Sequence, residues 1–232
     1  MKTVAETKKS ESFVSKLKRI FDIRLFPMDL ARFFLLSLPL FFRGKKVNIK
    51  GEKYRPDYHG GAIFAPNHTS FSDPIAIVST FWYRRVFFLA SEAAMSGAVK
   101  TVLFKGLGCI RVDRNISDIE AIHKVRNMLS DGRLVTVFPQ GHIERESSKL
   151  GKLKSGAVLM ALQSGVPIIP MYSVKRRHFY ERRLFVIGDA IDPREYIKGR
   201  FPSMENIETV TAVLEEKMEE CRAVFRKMKG YE

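Results

Sequence analysis

The sequence predicts an α/β fold: a mixed sheet flanked by helices, preceded by two further helices at the N-terminus. Three observations predict it. Short apolar runs recur at 62–65, 86–90, 109–112, 134–138, 167–172 and 184–187. Stretches with helical spacing, about 74–82, 92–102, 117–130 and 155–164, lie between most of those runs. Gly132 and Gly165 then follow two of the helices where a left-handed C-cap belongs.

The elements follow in chain order. Residues 11–26 predict an amphipathic helix, with Phe13, Leu17, Ile20 and Phe21 on one side, and Pro27 ends it. A more apolar helix is expected over about 28–38. The longest apolar stretch, 33–42, is bounded by Arg32 and Arg43 and interrupted by Pro39. It falls short of the roughly 20 residues that a spanning helix needs. Residues 1–46 hold eleven Lys/Arg and four Asp/Glu, a net of +7. A basic amphipathic helix beside a short apolar one suits a membrane surface. It also suits a cap packed on the following domain, and both readings stand. No secretory signal is read here, because the start lacks a continuous apolar core. The expected division is therefore 1–46, a membrane-associating pair of helices, and 47–232, one α/β domain.

Within that domain, 62–65 reads as a buried strand and residues from Pro74 as a helix start. Pro167 and Pro170 lack N–H donors, so their run suggests an edge or bent strand. The last helix, about 204–229, sets Ile207, Val210, Leu214, Met218, Cys221, Phe225 and Met228 on one face, as core contact requires.

Composition narrows the function. Forty-five per cent of residues are hydrophobic, so a sizeable core is expected in a chain of 232. A formal charge of +15 points to an anionic partner. The two cysteines, Cys109 and Cys221, are no secreted disulfide framework, although one bridge stays open. There is no G-x-S-x-G elbow, no H-E-x-x-H or Cys/His cluster, no Walker A sequence, and Gly106-Leu107-Gly108 lacks the third glycine of a dinucleotide site. Neither a metal nor a cofactor is expected. Nucleic acid is not an expected partner either. The one stretch mixing aromatics with basic residues, Arg176 to Tyr180 with Arg182 and Arg183, reads as a solvated basic loop.

Four segments carry candidate chemistry. Asn67-His68-Thr69-Ser70-Phe71-Ser72-Asp73 lies on the loop between the first buried strand and its helix. A histidine beside a carboxylate can act as a general base. The same residues also read as an Asp73 N-cap followed by an N1 proline. Gly108 to Arg114 delivers Arg114 just past a strand end, where it can grip a phosphate bidentately, and Lys105 precedes it. Phe138-Pro139-Gln140-Gly141-His142-Ile143-Glu144-Arg145 follows an apolar strand, and a glycine there lets backbone approach a ligand or simply closes a tight turn. Val166-Pro167-Ile168-Ile169-Pro170 is the fourth. The remaining histidines, His59, His123 and His178, read as surface or turn residues, while His142 falls inside the third segment.

In this order the four segments resemble the glycerolipid acyltransferases, specifically the 1-acylglycerol-3-phosphate acyltransferases. N-H-x-S-x-x-D is matched by Asn67, His68, Ser70 and Asp73, G-x-I-x-V-D-R through Arg114, and V-P-I-I-P outright. The third segment departs from F-P-E-G-T-R-S: Gln140, His142, Ile143 and Glu144 replace four of its residues, and Arg145 lies two places beyond the usual arginine. The resemblance implies a glycerolphosphate acyltransferase-like sheet. It implies transfer of a fatty acyl group from acyl-CoA or acyl-carrier protein to the hydroxyl of a lysophospholipid, without an acyl-enzyme. His68 would be the base and Asp73 its orienting partner. Gln140 and Gly141 would lie at the substrate, with oxyanion donors near Gly141, and Lys105, Arg114 and Arg145 would hold the phosphate. Glycerol-3-phosphate or a lyso-aminolipid are alternative acceptors, and a weakly active basic membrane or nucleic-acid binding protein is the alternative of another class. The expected location is the cytoplasmic face of an anionic membrane.

Overall fold

The apolar runs assemble into one sheet. The computed structural model describes residues 26, 29–30, 44–54, 60–81, 84–91, 95–97, 101–102, 104, 108–112, 119–144, 150–176, 178, 181–197 and 203–230. Among them the strands are β1 (Lys45–Asn48), β2 (Ala62–Pro66), β3 (Val86–Ser91), β4 (Cys109–Val112), β5 (Leu134–Thr136), β6 (Ile168–Ser173) and β7 (Leu184–Ile187). The helices are α1 (Asp73–Thr80), α2 (Ile119–Ser130), α3 (Gly156–Ser164) and α4 (Met204–Lys229), with a 3-10 turn at Pro193–Tyr196. The strand order is β1-β7-β6-β2-β5-β3-β4. All pairings are parallel except β6 with β7, so the sheet is mixed, as expected.

Period-two alternation divides the core. Ile63, Ala65, Val135 and Ile168 face α2, α3 and the first half of α4. Ala62, Phe64, Leu134, Ile169 and Met171 face the opposite layer with Ile77, Val78 and Phe81, at and just beyond the end of α1. Being covered on both faces is why β2 and β5 read as unbroken apolar runs. The stripe on α4 is buried from Ile207 to Phe225, and Met228 stays partly exposed. Gly132 and Gly165 both take left-handed backbone, and the Gly165 N–H closes α3 on the Ala161 and Leu162 carbonyls.

Two expectations are corrected. β1 was not read from the sequence. It is four residues long, half-exposed and at the sheet edge, and it draws Lys45 and Lys46 into the sheet beside β7. β6 is not an edge strand. It lies between β7 and β2 and is buried throughout. The position of Pro170 explains the tolerance. Its carbonyl accepts from the Gly188 N–H, while ladder pairing with β7 begins only at Met171. The missing N–H therefore falls where that ladder has ended.

The two helices expected at the N-terminus fall almost wholly outside the described residues. Phe26, Asp29 and Leu30 are helical, with Phe26 and Leu30 exposed. Arg85 forks onto Asp29, its Nε 3.0 Å from Oδ1 and an Nη on the second oxygen, so this short piece is anchored beside β3. Among the described residues no helix is long and apolar enough to cross a membrane.

Candidate active site

Topology brings the chemistry to one edge. β2, β3, β4, β5 and β6 run parallel, so the loops after each of them leave at the same, carboxyl edge of the sheet. β7 runs the other way, and its start, preceded by Arg183, lies at that edge too. The chain leaves β2 toward α1 on one face, and leaves β5 toward α3 on the other. Adjacent strands whose connections part in this way open a crevice between them. The first and third segments meet over it.

His68 sits directly past β2. Its Nδ1 is 2.8 Å from Asp73 Oδ2, and its ring stacks on Phe138 with centroids 4.0 Å apart. The backbone of the histidine is pinned by the third segment. Its N–H donates to Gln140 Oε1 at 2.7 Å, and its carbonyl accepts from the Glu144 N–H at 2.7 Å. A ring fixed on both sides yet 17% exposed in its side chain can still be reached from the crevice.

Asp73 does not cap its helix. Ser72 occupies the N-cap position and makes no side-chain cap bond. The Asp73 carboxylate turns back into the loop, where Oδ2 accepts from the Thr69 N–H at 2.7 Å and the Ser70 N–H at 2.9 Å. Oδ1 forms an ion pair with Arg183 at 2.6 Å. Burial pushes this carboxyl up. The His68 hydrogen bond, the Arg183 charge and the Ser70 N–H outweigh burial and hold it below its ordinary value. An ionised carboxylate only accepts, so His68 Nδ1 carries a proton, and in the neutral ring Nε2 keeps its lone pair. Such an imidazole can take a proton from a hydroxyl placed against it.

The third segment turns back onto the His68 loop. Gln140 is 2% exposed, and its carbonyl is spent on the His68 N–H. A glutamate in its place would accept the same bond, so glutamine keeps the tie without the charge. Its Nε2 approaches Glu144 Oε2 at 3.4 Å, which leaves an acid four residues further on. Gly141 has φ +74°, and a Cβ there would press on the Lys154 amine at 3.1 Å. Its N–H closes the turn on the Phe138 carbonyl at 3.0 Å. His142 is largely exposed. Lys105, Arg114 and Arg145 lie outside the described residues.

One residue at this edge reverses its expected setting. Arg183, read from the sequence as part of a solvated basic loop, is 5% exposed and points at Asp73. Its start-of-strand position carried no signal, because nothing local shows that β7 runs antiparallel to β6. Ser173 was also missed. Its backbone pairs with the Asn67 amide through N–H to Oδ1 at 2.8 Å and Nδ2–H to carbonyl at 2.9 Å, which fastens the histidine loop to the end of β6. His123 and His178 are exposed, as expected, and His59 lies outside the described residues. Cys109 and Cys221 are both free.

Comparisons with known proteins bear on the fold and the family. The 1-acyl-sn-glycerophosphate (LPA) acyltransferase PlsC from Thermotoga maritima superposes with a TM-score of 0.56 at 22% identity, over 91% of this chain and 86% of that one, which shows a shared fold. A probable 1-acyl-sn-glycerol-3-phosphate acyltransferase from Mycoplasma pneumoniae is 29% identical over 142 residues, 59% of this chain and 52% of that protein. The 1-acyl-sn-glycerol-3-phosphate acyltransferase of Borreliella burgdorferi is 24% identical over 151 residues, 64% of this chain and 59% of that protein. The chain thus spans somewhat more than half the length of these relatives. The Acyltransferase family model matches residues 46–174, from β1 to just past β6 and therefore across the whole His68 crevice. This chain belongs to the Acyltransferase family.

Proposed function

We propose that the protein acylates 1-acylglycerol-3-phosphate, giving phosphatidic acid, at the crevice between β2 and β5. The observation that carries this reading is the His68–Asp73 pair, 2.8 Å apart at the carboxyl edge of the sheet and reachable from outside. His68 Nε2 takes the proton of the acceptor hydroxyl as its oxygen attacks the thioester carbonyl. The thiolate of the acyl-CoA or acyl-carrier protein leaves and recovers that proton from the imidazolium. Asp73 orients the ring and stabilises its cation. No residue of the pair is a nucleophile, so no acyl-enzyme forms.

Arg114, Lys105 and Arg145 take the acceptor phosphate in this proposal. The family sequence around Arg114 supports it, as does β4 ending at Val112 on the edge that carries His68. The surplus of basic residues, +15 overall, supports work at an anionic membrane surface on its cytoplasmic side, with residues 1–46 as the contact.

The test is acyl transfer from oleoyl-CoA and from oleoyl-acyl-carrier protein to a panel of lyso-acceptors, with product mass detected. His68→Ala is expected to lower turnover by about 10²–10⁴-fold while unfolding at a near-normal temperature. Near-normal turnover in that folded variant would remove His68 from the mechanism. Arg114→Ala is expected to raise KM for the phosphate-bearing acceptor far more than for the donor. Good acylation of an acceptor lacking a phosphomonoester, indifferent to Arg114 and Arg145, would reassign the substrate.

A further inference from the structure

We propose that Arg183 is a positioning residue for the proposed acyl transfer, acting on His68 through Asp73. The inference rests on the function proposed above. Asp73 divides its oxygens: Oδ2 takes the His68 ring and two loop N–H groups, while Oδ1 faces Arg183 at 2.6 Å. Rotating the carboxylate would break the Oδ2 hydrogen bonds and part Oδ1 from the guanidinium charge, so Oδ2 stays aimed at His68 Nδ1.

The guanidinium is itself held. Its Nε donates to Ser173 Oγ at 2.8 Å, and that hydroxyl donates onward to the Leu184 carbonyl at 2.7 Å. An Nη reaches Thr69 Oγ1 at 3.4 Å, and the group lies 5.3 Å from the Phe185 ring centroid. Ser173 in turn clasps Asn67, the residue before His68. Arg183 thus joins the ends of β6 and β7 to both termini of the His68 loop. Being 5% exposed, it is poorly placed to meet a substrate directly.

Its charge has a second effect. A buried carboxylate facing His68 alone would favour the imidazolium strongly, and the pair would give up its proton reluctantly. A cation on the far oxygen lowers the proton affinity of the pair as a unit. Among the described residues, the other groups bonded to the pair do not supply that charge. His68 comes from the same loop, Thr69 and Ser70 offer backbone N–H groups, and the β5 turn presents neutral Gln140 to the His68 backbone.

The experiment compares wild type with Arg183→Met, Arg183→Gln and Arg183→Lys, using oleoyl-CoA and 1-oleoylglycerol-3-phosphate in detergent micelles. Arg183→Met is expected to lose about 10²-fold in kcat, the scale of a small misplacement, with both KM values nearly unchanged. Its acid limb in the pH profile is expected at higher pH than in wild type. Arg183→Lys, which keeps the charge but not the fork, is expected to restore the limb and part of kcat. A raised acceptor KM with intact kcat in Arg183→Met would overturn the proposal and make Arg183 a substrate contact. If Arg183→Met does not fold, the two milder variants decide. Arg183→Gln must show the raised limb and Arg183→Lys must not, and equal limbs overturn the proposal. NMR titration of the His68 ring reads the same shift without substrate. It separates failure here, an unmoved titration in Arg183→Gln, from failure of the acyltransferase reading, which is absence of transfer by wild type.

Discussion

At the scale of single residues, the candidate site is an exercise in keeping one carboxylate ionised inside the protein. Asp73 is nearly fully buried, and its depressed pKa reflects contacts that exist only in the folded chain. The sign of the consequence follows. The unfolded carboxyl titrates near 3.9, and the folded one lower. Its contribution to stability is therefore full above that range and is lost as pH falls through the folded value. Asp73→Asn places an uncharged group opposite Arg183 and leaves that buried cation without its counter-ion. The expected cost is about 3–5 kcal/mol at neutral pH, shrinking below pH of about 4 as the wild type protonates. Urea unfolding across a pH series checks both the size and the narrowing gap. A variant equally stable at every pH would mean that the pair contributes nothing net.

At the scale of elements, small residues and caps fix where helices meet strands. Gly61 precedes β2, and a Cβ there would stand 2.0 Å from the Leu129 carbonyl oxygen near the end of α2. That neighbour is backbone and cannot swing aside. Gly61→Ala is therefore expected to cost about 2 kcal/mol or more, because α2 or β2 must shift. Helix α4 offers a milder comparison. Ser203 and Asn206 form a reciprocal capping box, the serine hydroxyl accepting from the Asn206 N–H at 3.2 Å and the asparagine carbonyl from the Ser203 N–H at 2.9 Å. Ser203→Ala is expected to cost about 1 kcal/mol. Thermal unfolding of both variants should rank Gly61→Ala well below Ser203→Ala, and the reverse order would mean that the β2–α2 contact yields easily.

At the scale of the whole molecule, the basic N-terminal region and the sheet meet at β1. Lys45 donates its N–H to the Arg183 carbonyl at 2.7 Å, and Gly44 donates to Thr80 Oγ1 at 3.0 Å. Removing residues 1–46 cuts β1 in half beside the proposed site, whereas removing 1–43 spares it. The longer deletion is thus expected to unfold at a lower temperature and to lose turnover. Both deletions are expected to bind anionic vesicles less well, since each basic residue near such a surface adds about 1 kcal/mol. Added salt should weaken full-length binding only in part, because apolar contact persists. Vesicle sedimentation with the 1–43 deletion is the cleaner check, and unchanged association would place the membrane contact elsewhere.

The sequence by itself determined the α/β alternation, six of the seven described strands, the α4 stripe and the His68 loop, because each is a local pattern of apolar spacing or a short ordered motif. It did not reveal β1, whose short, half-exposed edge has too little burial to impose a pattern. It misplaced β6, since a proline's meaning in a sheet depends on whether a neighbour needs its N–H at that register. It left Asp73 between cap and partner, because both readings share the same local residues and differ only in where the carboxylate turns. The tertiary structure decided that by setting antiparallel β7 next to β6, which brings Arg183 across 110 residues to Asp73. Strand direction and neighbour order are long-range choices, settled by burial over the whole sheet, and no window along the chain contains them.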